Sequence, residues 1–309
     1  MDILLIILTI IGLSLFEIVS SIDNAVINAD VLRTMSYKAR RWFTTWGLFI
    51  AVFLIRGLLP FLIVFSLHPS LGVIGTFTAV FNQDPAVVQA IEMAAPPLLA
   101  AGGVFLIFLF FHWLFMEDKH YGLRAEKFIH EKSFWFYAVV SIILTGVIWI
   151  GINSNPLIAF GAAIGGSLFF IVNGFRQNAE EKEKDLLKKG KMSDISKLLY
   201  LEVIDASFSI DGVLGAFAFT LAVPLILIGN GIGAVVLRQI TVSNIDNIKK
   251  YKYLKNGAMY SIGALGIIML GESFGAHIPV WFSPIVTIGV LAYFFYKSHR
   301  ELKLEEAKK

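Results

Sequence analysis

The sequence predicts an all-α fold, a polytopic transmembrane helical bundle of about nine spans built from two inverted-topology repeats. Three observations predict it. Of the 309 residues, 57% are hydrophobic and only 16% charged, and the mean hydropathy is +0.73, far more apolar than a soluble domain. Basic residues gather in alternate connections between the apolar runs. An acidic motif is written twice, once in each half, inside runs otherwise apolar enough to enter a bilayer. The absence of cysteine removes disulfides, thiolate metal sites and thiol redox chemistry.

A span needs about 20 mostly apolar residues. The first candidate, Ile3–Ala29, contains Glu17 and lacks a basic flank at Met1-Asp2, so it reads as a retained span rather than a signal peptide. Phe43–Ser66 and Ala94–Met116 follow; the latter holds His112, expected to be a hydrogen-bonded lone histidine rather than a ligand. Phe134–Gly151 and Pro156–Phe175 are shorter. Leu198–Leu221, Val223–Thr241, Leu254–Leu270 and Val280–Lys297 complete the series. The outer connection from His68 to Met93, with Asn82-Gln83-Asp84-Pro85 and Glu92, is expected to be an ordinary solvated loop, with an acidic mouth or a small interfacial helix as the alternatives. Gly161-x-x-x-Gly165 and Gly229-x-x-x-Gly233 permit close helix packing. The organisation that follows is a first half over 1–175, a charged linker over 176–197, a second half over 198–297 and a tail over 298–309.

Positive charge orients the chain. Every basic residue except Arg56 and Arg238 falls in connections that alternate to one side or in the tail, so the N-terminus is expected outside and the C-terminus in the cytoplasm of a bacterial cytoplasmic-membrane protein. Arg176 belongs to the cytoplasmic set. Arg238, near the inner end of its span, is expected to snorkel. Arg56 lies mid-span and needs an acid or a water-filled cavity; a motif acid is its expected partner, with a purely structural bridge as the alternative.

The motifs are Glu17-Ile18-Val19-Ser20-Ser21-Ile22-Asp23-Asn24 and Asp205-Ala206-Ser207-Phe208-Ser209-Ile210-Asp211. Charge topology runs the first from outside to inside and the second from inside to outside. Such inverted repeats characterise secondary transporters with a site near the midplane. At about 100° per residue, Glu17, Ser21, Asn24 and Asn28 share a stripe, as do Asp205 and Ser209, while Asp23 and Asp211 stand about 120° away. Either the polar face is broad or the helices unwind, near Ser20–Asp23 and Ser209–Gly212, freeing carbonyls. The two acids of a motif are separated by roughly 9 Å along the axis, which places Glu17 and Asp211 towards the outside and Asp23 and Asp205 towards the cytoplasm. One central site and two stacked sites both satisfy that spacing.

An ionised Asp at a span centre costs about 2.5–3.5 kcal/mol on insertion scales, so the motif acids, with Glu202, require compensating cations. Carboxylate, amide, hydroxyl and carbonyl oxygens are hard ligands suited to Mn²⁺, Mg²⁺ or Ca²⁺. No prosthetic group or nucleic-acid partner is implied; the expected partners are the bilayer, a metal cation as cargo and protons as a coupling ion.

The two motifs, together with Tyr253-Leu254-Lys255-Asn256-Gly257, resemble the TerC family of integral membrane proteins, associated with tellurium resistance. The resemblance spans both halves and implies export of a divalent cation, Mn²⁺ in first place. It implies Glu17, Asp23, Asn24, Asp205 and Asp211 as the metal-binding set. Ser21, Asn28, Glu202, Ser209 and Arg56, polar or charged within the apolar runs, are candidate secondary residues. Gly212 stands where a serine is more usual in that family, removing one hydroxyl, and the long outer loop and charged linker mark a divergent branch. Competing readings are an exporter of a small organic solute such as an amino acid, a non-transporting accessory subunit and a two-aspartate membrane hydrolase. The hydrolase lacks its Gly-x-Gly-Asp pattern, and no enzymatic activity is expected.

Overall fold

A computed structural model describes residues 2–47, 72–82, 85–189, 193–243 and 250–307, together with 49, 50, 58, 61 and 65. Among the described residues the secondary structure is helical throughout, with no strand. The helices are α1 (Ile3–Ser20), α2 (Ile22–Arg33), α3 (Tyr37–Trp42), α4 (Gly72–Asn82), α5 (Pro85–Met116), α6 (Arg124–His130), α7 (Phe136–Ser154), α8 (Pro156–Lys189), α9 (Asp194–Ala216), α10 (Val223–Ser243), α11 (Leu254–Ser273) and α12 (Phe282–Glu306). Among the described residues five segments are long and apolar enough to cross a bilayer: Ile3–Ser20, Ala94–Met116, Ser133–Ser154, Pro156–Asn178 and Val223–Thr241. Most of the expected span Phe43–Ser66, with Arg56, lies outside the described residues.

Residue pairs fix the helix directions. Gly161 and Gly165 approach Pro97 and Ala101, so α8 runs parallel to α5; Gly229 and Gly233 approach Leu13 and Ser14, so α10 runs parallel to α1. Gly263 and Gly266 meet Phe110 and Ile107, which sets α11 antiparallel to α5. The motif helices are antiparallel as well, since Gly12 lies against Phe219 and Gly215 against Phe16.

The glycine spacings do the packing the sequence suggested. A β-carbon on Gly161 would stand 2.2 Å from the Pro97 carbonyl oxygen, and one on Gly165 would stand 2.1 Å from that of Ala101. Only hydrogen at these positions lets the two backbones approach so closely. The core beside this seam is aromatic: Phe105 and Phe108 meet Phe169 edge to face, and Trp113 meets Tyr260 likewise.

Three expectations change. The stretch before Ala94 is helical rather than an open loop, because α4 spans Gly72–Asn82 and α5 starts at Pro85. The charged segment after Phe175 continues α8 without interruption to Lys189. The second motif helix does not unwind at Ser209–Gly212; α9 is continuous from Asp194 to Ala216. Glycine permits a break there without requiring one.

Candidate functional site

The first motif helix is interrupted at one residue. Ser21 has φ −99° and ψ 9° and separates α1 from α2. The Ser21 N–H still donates to the Glu17 carbonyl at 3.2 Å, and the Ala25 N–H to the Ser21 carbonyl at 2.9 Å. The irregularity is therefore local, without the unwound stretch of free carbonyls that the spacing of the acids suggested. Its side chain turns to the motif acid: Ser21 Oγ donates to Glu17 Oε1 at 3.2 Å.

Glu17 is 1% exposed. Space beside it comes from α10, where a β-carbon on Gly233 would stand 2.6 Å from the Ser14 carbonyl oxygen and 2.7 Å from Glu17 Cβ. Ser14 Oγ ties the same seam by donating to the Gly229 carbonyl at 2.9 Å. From the antiparallel side α9 brings Asp211, 6% exposed, within electrostatic reach of Glu17. Arg176 of α8 donates from Nη2 to Asp211 Oδ2 in a salt bridge. Asp211 Oδ1 is buried and has no hydrogen-bond partner among the described residues.

Aromatic rings close this cluster towards the end of the bundle where α9 finishes. Phe16 lies against Gly215, and its ring centroid is 5.7 Å from that of Phe219. Beyond them opens a cavity of about 620 Å³ whose wall includes Phe217, Thr220, Glu272 and His277.

A second cluster lies two turns away along α9. Arg238 Nη2 donates to Asp205 Oδ2 at 2.6 Å. Its Nη1 donates to the Phe43 carbonyl, and the guanidinium lies 4.0 Å from the centroid of the Phe43 ring. The backbone from Phe43 to Gly47 forms a π-helical turn, an arrangement that recurs at functional positions. Gly47 makes room there: a β-carbon would stand 2.0 Å from Glu202 Oε1 and 3.1 Å from Arg238 Nη1. Both Glu202 carboxylate oxygens are buried without a hydrogen-bond partner among the described residues.

The structure thus brings Glu17 with Ser21 and Asp211, and separately Glu202 with Asp205. Asn28 is buried, and its Oδ1 has no hydrogen-bond partner among the described residues. The side chains of Asp23, Asn24 and Ser209 lie outside the described part, as does Arg56. No group of three or more acidic or histidine side chains converges on one point among the described residues. Two arginines sit differently from expectation. Arg238 does not snorkel but is held inward by Asp205 and the Phe43 carbonyl. Arg176, counted with the cytoplasmic charge, reaches Asp211. Its position at the edge of an apolar run was the available signal; its role depends on α8 continuing as a helix beyond Phe175, which fixes its direction.

At the end of the bundle where α5 stops, charge is organised around Glu117, just past the span Ala94–Met116. His112 Nδ1 lies 3.5 Å from Glu117 Oε1 and Lys255 Nζ lies 2.7 Å from Glu117 Oε2. Burial alone would raise the Glu117 pKa, but the His112 hydrogen bond and Lys255 override it and hold the group at about 2. Glu126 accepts from the Gly122 N–H at 2.7 Å, the Leu123 N–H at 3.0 Å and Asn256 Nδ2 at 2.9 Å. Asn256, part of the Tyr253–Gly257 segment, is thereby a joint between α6 and α11.

Helices antiparallel at two acidic motifs, with carboxylates and guanidiniums buried between apolar segments, define a helical integral membrane protein with charge inside its bundle. The chain belongs to the family described as protein of unknown function DUF475, whose profile matches residues 22–305. It is similar to the uncharacterized membrane protein YceF of Bacillus subtilis (strain 168), at 23% identity over 187 residues, an alignment that covers 57% of this chain and 73% of that protein. No solved structure matches.

Proposed function

We propose that the protein is a secondary transporter that exports a divalent metal cation, Mn²⁺ in first place, through an intramembrane carboxylate site. One observation carries the reading: acids of the two antiparallel motif helices, Glu17 and Asp211, are buried near each other, and Asp211 is neutralised by a side chain of the protein itself, Arg176. A buried carboxylate persists when a cation offsets its lost hydration. Arg176 plays that part through its salt bridge, and an arriving cation takes its place on Asp211. The TerC likeness adds Asp23 and Asn24, which come shortly after Ser21 in the chain, to the metal-binding set; hard oxygen ligands select Mn²⁺, Mg²⁺ or Ca²⁺ over softer metals. The likeness to TerC proteins in both motifs supports this assignment, with the two halves acting as inverted repeats, the N-terminus outside and protons as the coupling ion.

The test is flux of Mn²⁺, Mg²⁺ and Ca²⁺ in proteoliposomes of the wild type, Asp23→Asn and Asp211→Asn. Loss of Mn²⁺ flux in both variants supports the site; equal flux in all three proteins eliminates it. The proximity of a guanidinium and a carboxylate at Arg176 and Asp211 favours one other reading, export of a zwitterion such as an amino acid. Amino-acid efflux without movement of any metal would replace the first reading with the second.

A further inference from the structure

A cavity of about 570 Å³ opens between α6 and the distal part of α12, well apart from the motif acids, and its wall includes Tyr121, Arg124, Lys127, Tyr293 and Lys297. Three of these are basic and no lining residue is acidic. Three acids on the two helices are engaged elsewhere. Glu126 receives two backbone N–H groups and Asn256, while Glu301 and Glu305 face Lys252. Lys297 is spent structurally, donating to the Gly122 carbonyl with its ammonium 5.2 Å from the Tyr253 ring centroid. Arg124 and Lys127 are exposed, stand three residues apart on one face of α6, and have no ion-pair partner among the described residues.

The surroundings are those of a membrane boundary. Phe128 of α6 and Tyr293 and Tyr296 of α12 are exposed, as aromatic residues are at the level of lipid headgroups. A guanidinium and an ammonium beside two phenols suit a phosphate ester, since Arg binds phosphate oxygens in a fork and Lys as a point charge.

We propose that this cavity binds a phosphate-bearing anion through Arg124 and Lys127, the phosphate belonging either to an anionic phospholipid headgroup or to a soluble phosphate ester. Basic pockets between helices at this level are suited to lipid headgroups, and the exposed rings provide a path for acyl chains along the outer face.

The full-length protein, purified in a neutral detergent, is titrated with phosphatidylglycerol, phosphatidylcholine, glycerol phosphate and inorganic phosphate, with bound ligand read by native mass spectrometry. The double variant Arg124→Gln, Lys127→Gln and the charge-keeping exchange Arg124→Lys, Lys127→Arg are measured alongside. Removing two charges is expected to weaken phosphatidylglycerol binding roughly 30-fold, while the exchange retains most of it and the melting temperature in neutral detergent stays unchanged. Preference for phosphatidylglycerol over both soluble phosphates assigns the site to lipid; equal binding of glycerol phosphate or inorganic phosphate, abolished in the same double variant, assigns it to a soluble ester. Undiminished phosphatidylglycerol binding by the double variant, or no phosphate probe bound by the wild type, overturns the proposal.

Discussion

Removing Arg176 should harm the protein more than removing the acid it neutralises. The two side chains are only 11% and 8% exposed, so neither is rehydrated cheaply when its partner is deleted. Two unit charges about 4 Å apart attract by about 4 kcal/mol at an effective dielectric near 20, and breaking a buried pair from one side costs about 3–5 kcal/mol. Arg176→Gln leaves the buried Asp211 carboxylate without its salt-bridge partner and with a second acid, Glu17, in electrostatic reach, whereas Asp211→Asn leaves the guanidinium beside a neutral amide whose oxygen can still accept its hydrogen bond. The expected order is a loss of about 4–5 kcal/mol for Arg176→Gln, about 3 for Asp211→Asn, and a double-variant loss well below their sum, giving a coupling of about 3 kcal/mol. Reversible denaturant unfolding in micelles, followed by tryptophan fluorescence, measures the cycle. Losses that add within about 0.5 kcal/mol would refute the inference that the two groups compensate each other.

Three further outcomes test the rest of the frame. Gly233→Ala should lower stability by about 1–3 kcal/mol, the cost of overpacking, whereas Gly146→Ala, whose new β-carbon would meet nothing within 4 Å, should leave stability unchanged or slightly raised; identical melting of the two variants would contradict the close approach of α10 to α1. Arg238→Lys should cost about 1–2 kcal/mol, because an ammonium cannot satisfy Asp205 and the Phe43 carbonyl in the planar manner of the guanidinium; a thermal melt equal to wild type would remove that double anchor. For Glu117, the folded pKa is depressed from 4.5 to about 2, so its stabilisation is fully present above pH 4.5 and is lost as pH falls towards 2. Glu117→Gln should therefore lower stability by about 1–2 kcal/mol at neutral pH, after allowance for partial exposure, with the difference disappearing near pH 2; a difference constant from pH 7 to pH 3 would be inconsistent with this linkage.

Helical class and several spans were legible because bilayer length and apolarity are properties of contiguous sequence. The run Ala94–Met116 needed no tertiary information, and Gly161 and Gly165 announced a seam by spacing alone. The counter-charges were not legible in the same way. A position near a span end predicts snorkelling for Arg238, yet Asp205 and the π-helical turn at Phe43–Gly47 draw it inward. Falling hydropathy after Phe175 places Arg176 with a charged segment; the backbone continues as helix past that point, and helical phase directs the side chain at Asp211. Gly212 misled in the opposite sense, since a residue that allows a break sits inside an unbroken helix. Local composition reports what a segment can do, and the neighbours decide which option is taken.

The two glycine seams also determine where this bundle can yield. They rivet α1 to α10 and α5 to α8 backbone against backbone, and α11 is packed extensively along α5. The second motif helix, α9, has no comparable seam: among the described residues it touches many neighbours, each only sparingly. Salt bridges from Arg176 and Arg238 fasten it at two heights instead. Steric interlock resists any displacement, but an ionic latch opens to whatever competes for the same carboxylates. On the transport reading proposed above, the part of the molecule that carries Asp205 and Asp211 is also the part whose position a charged solute would set.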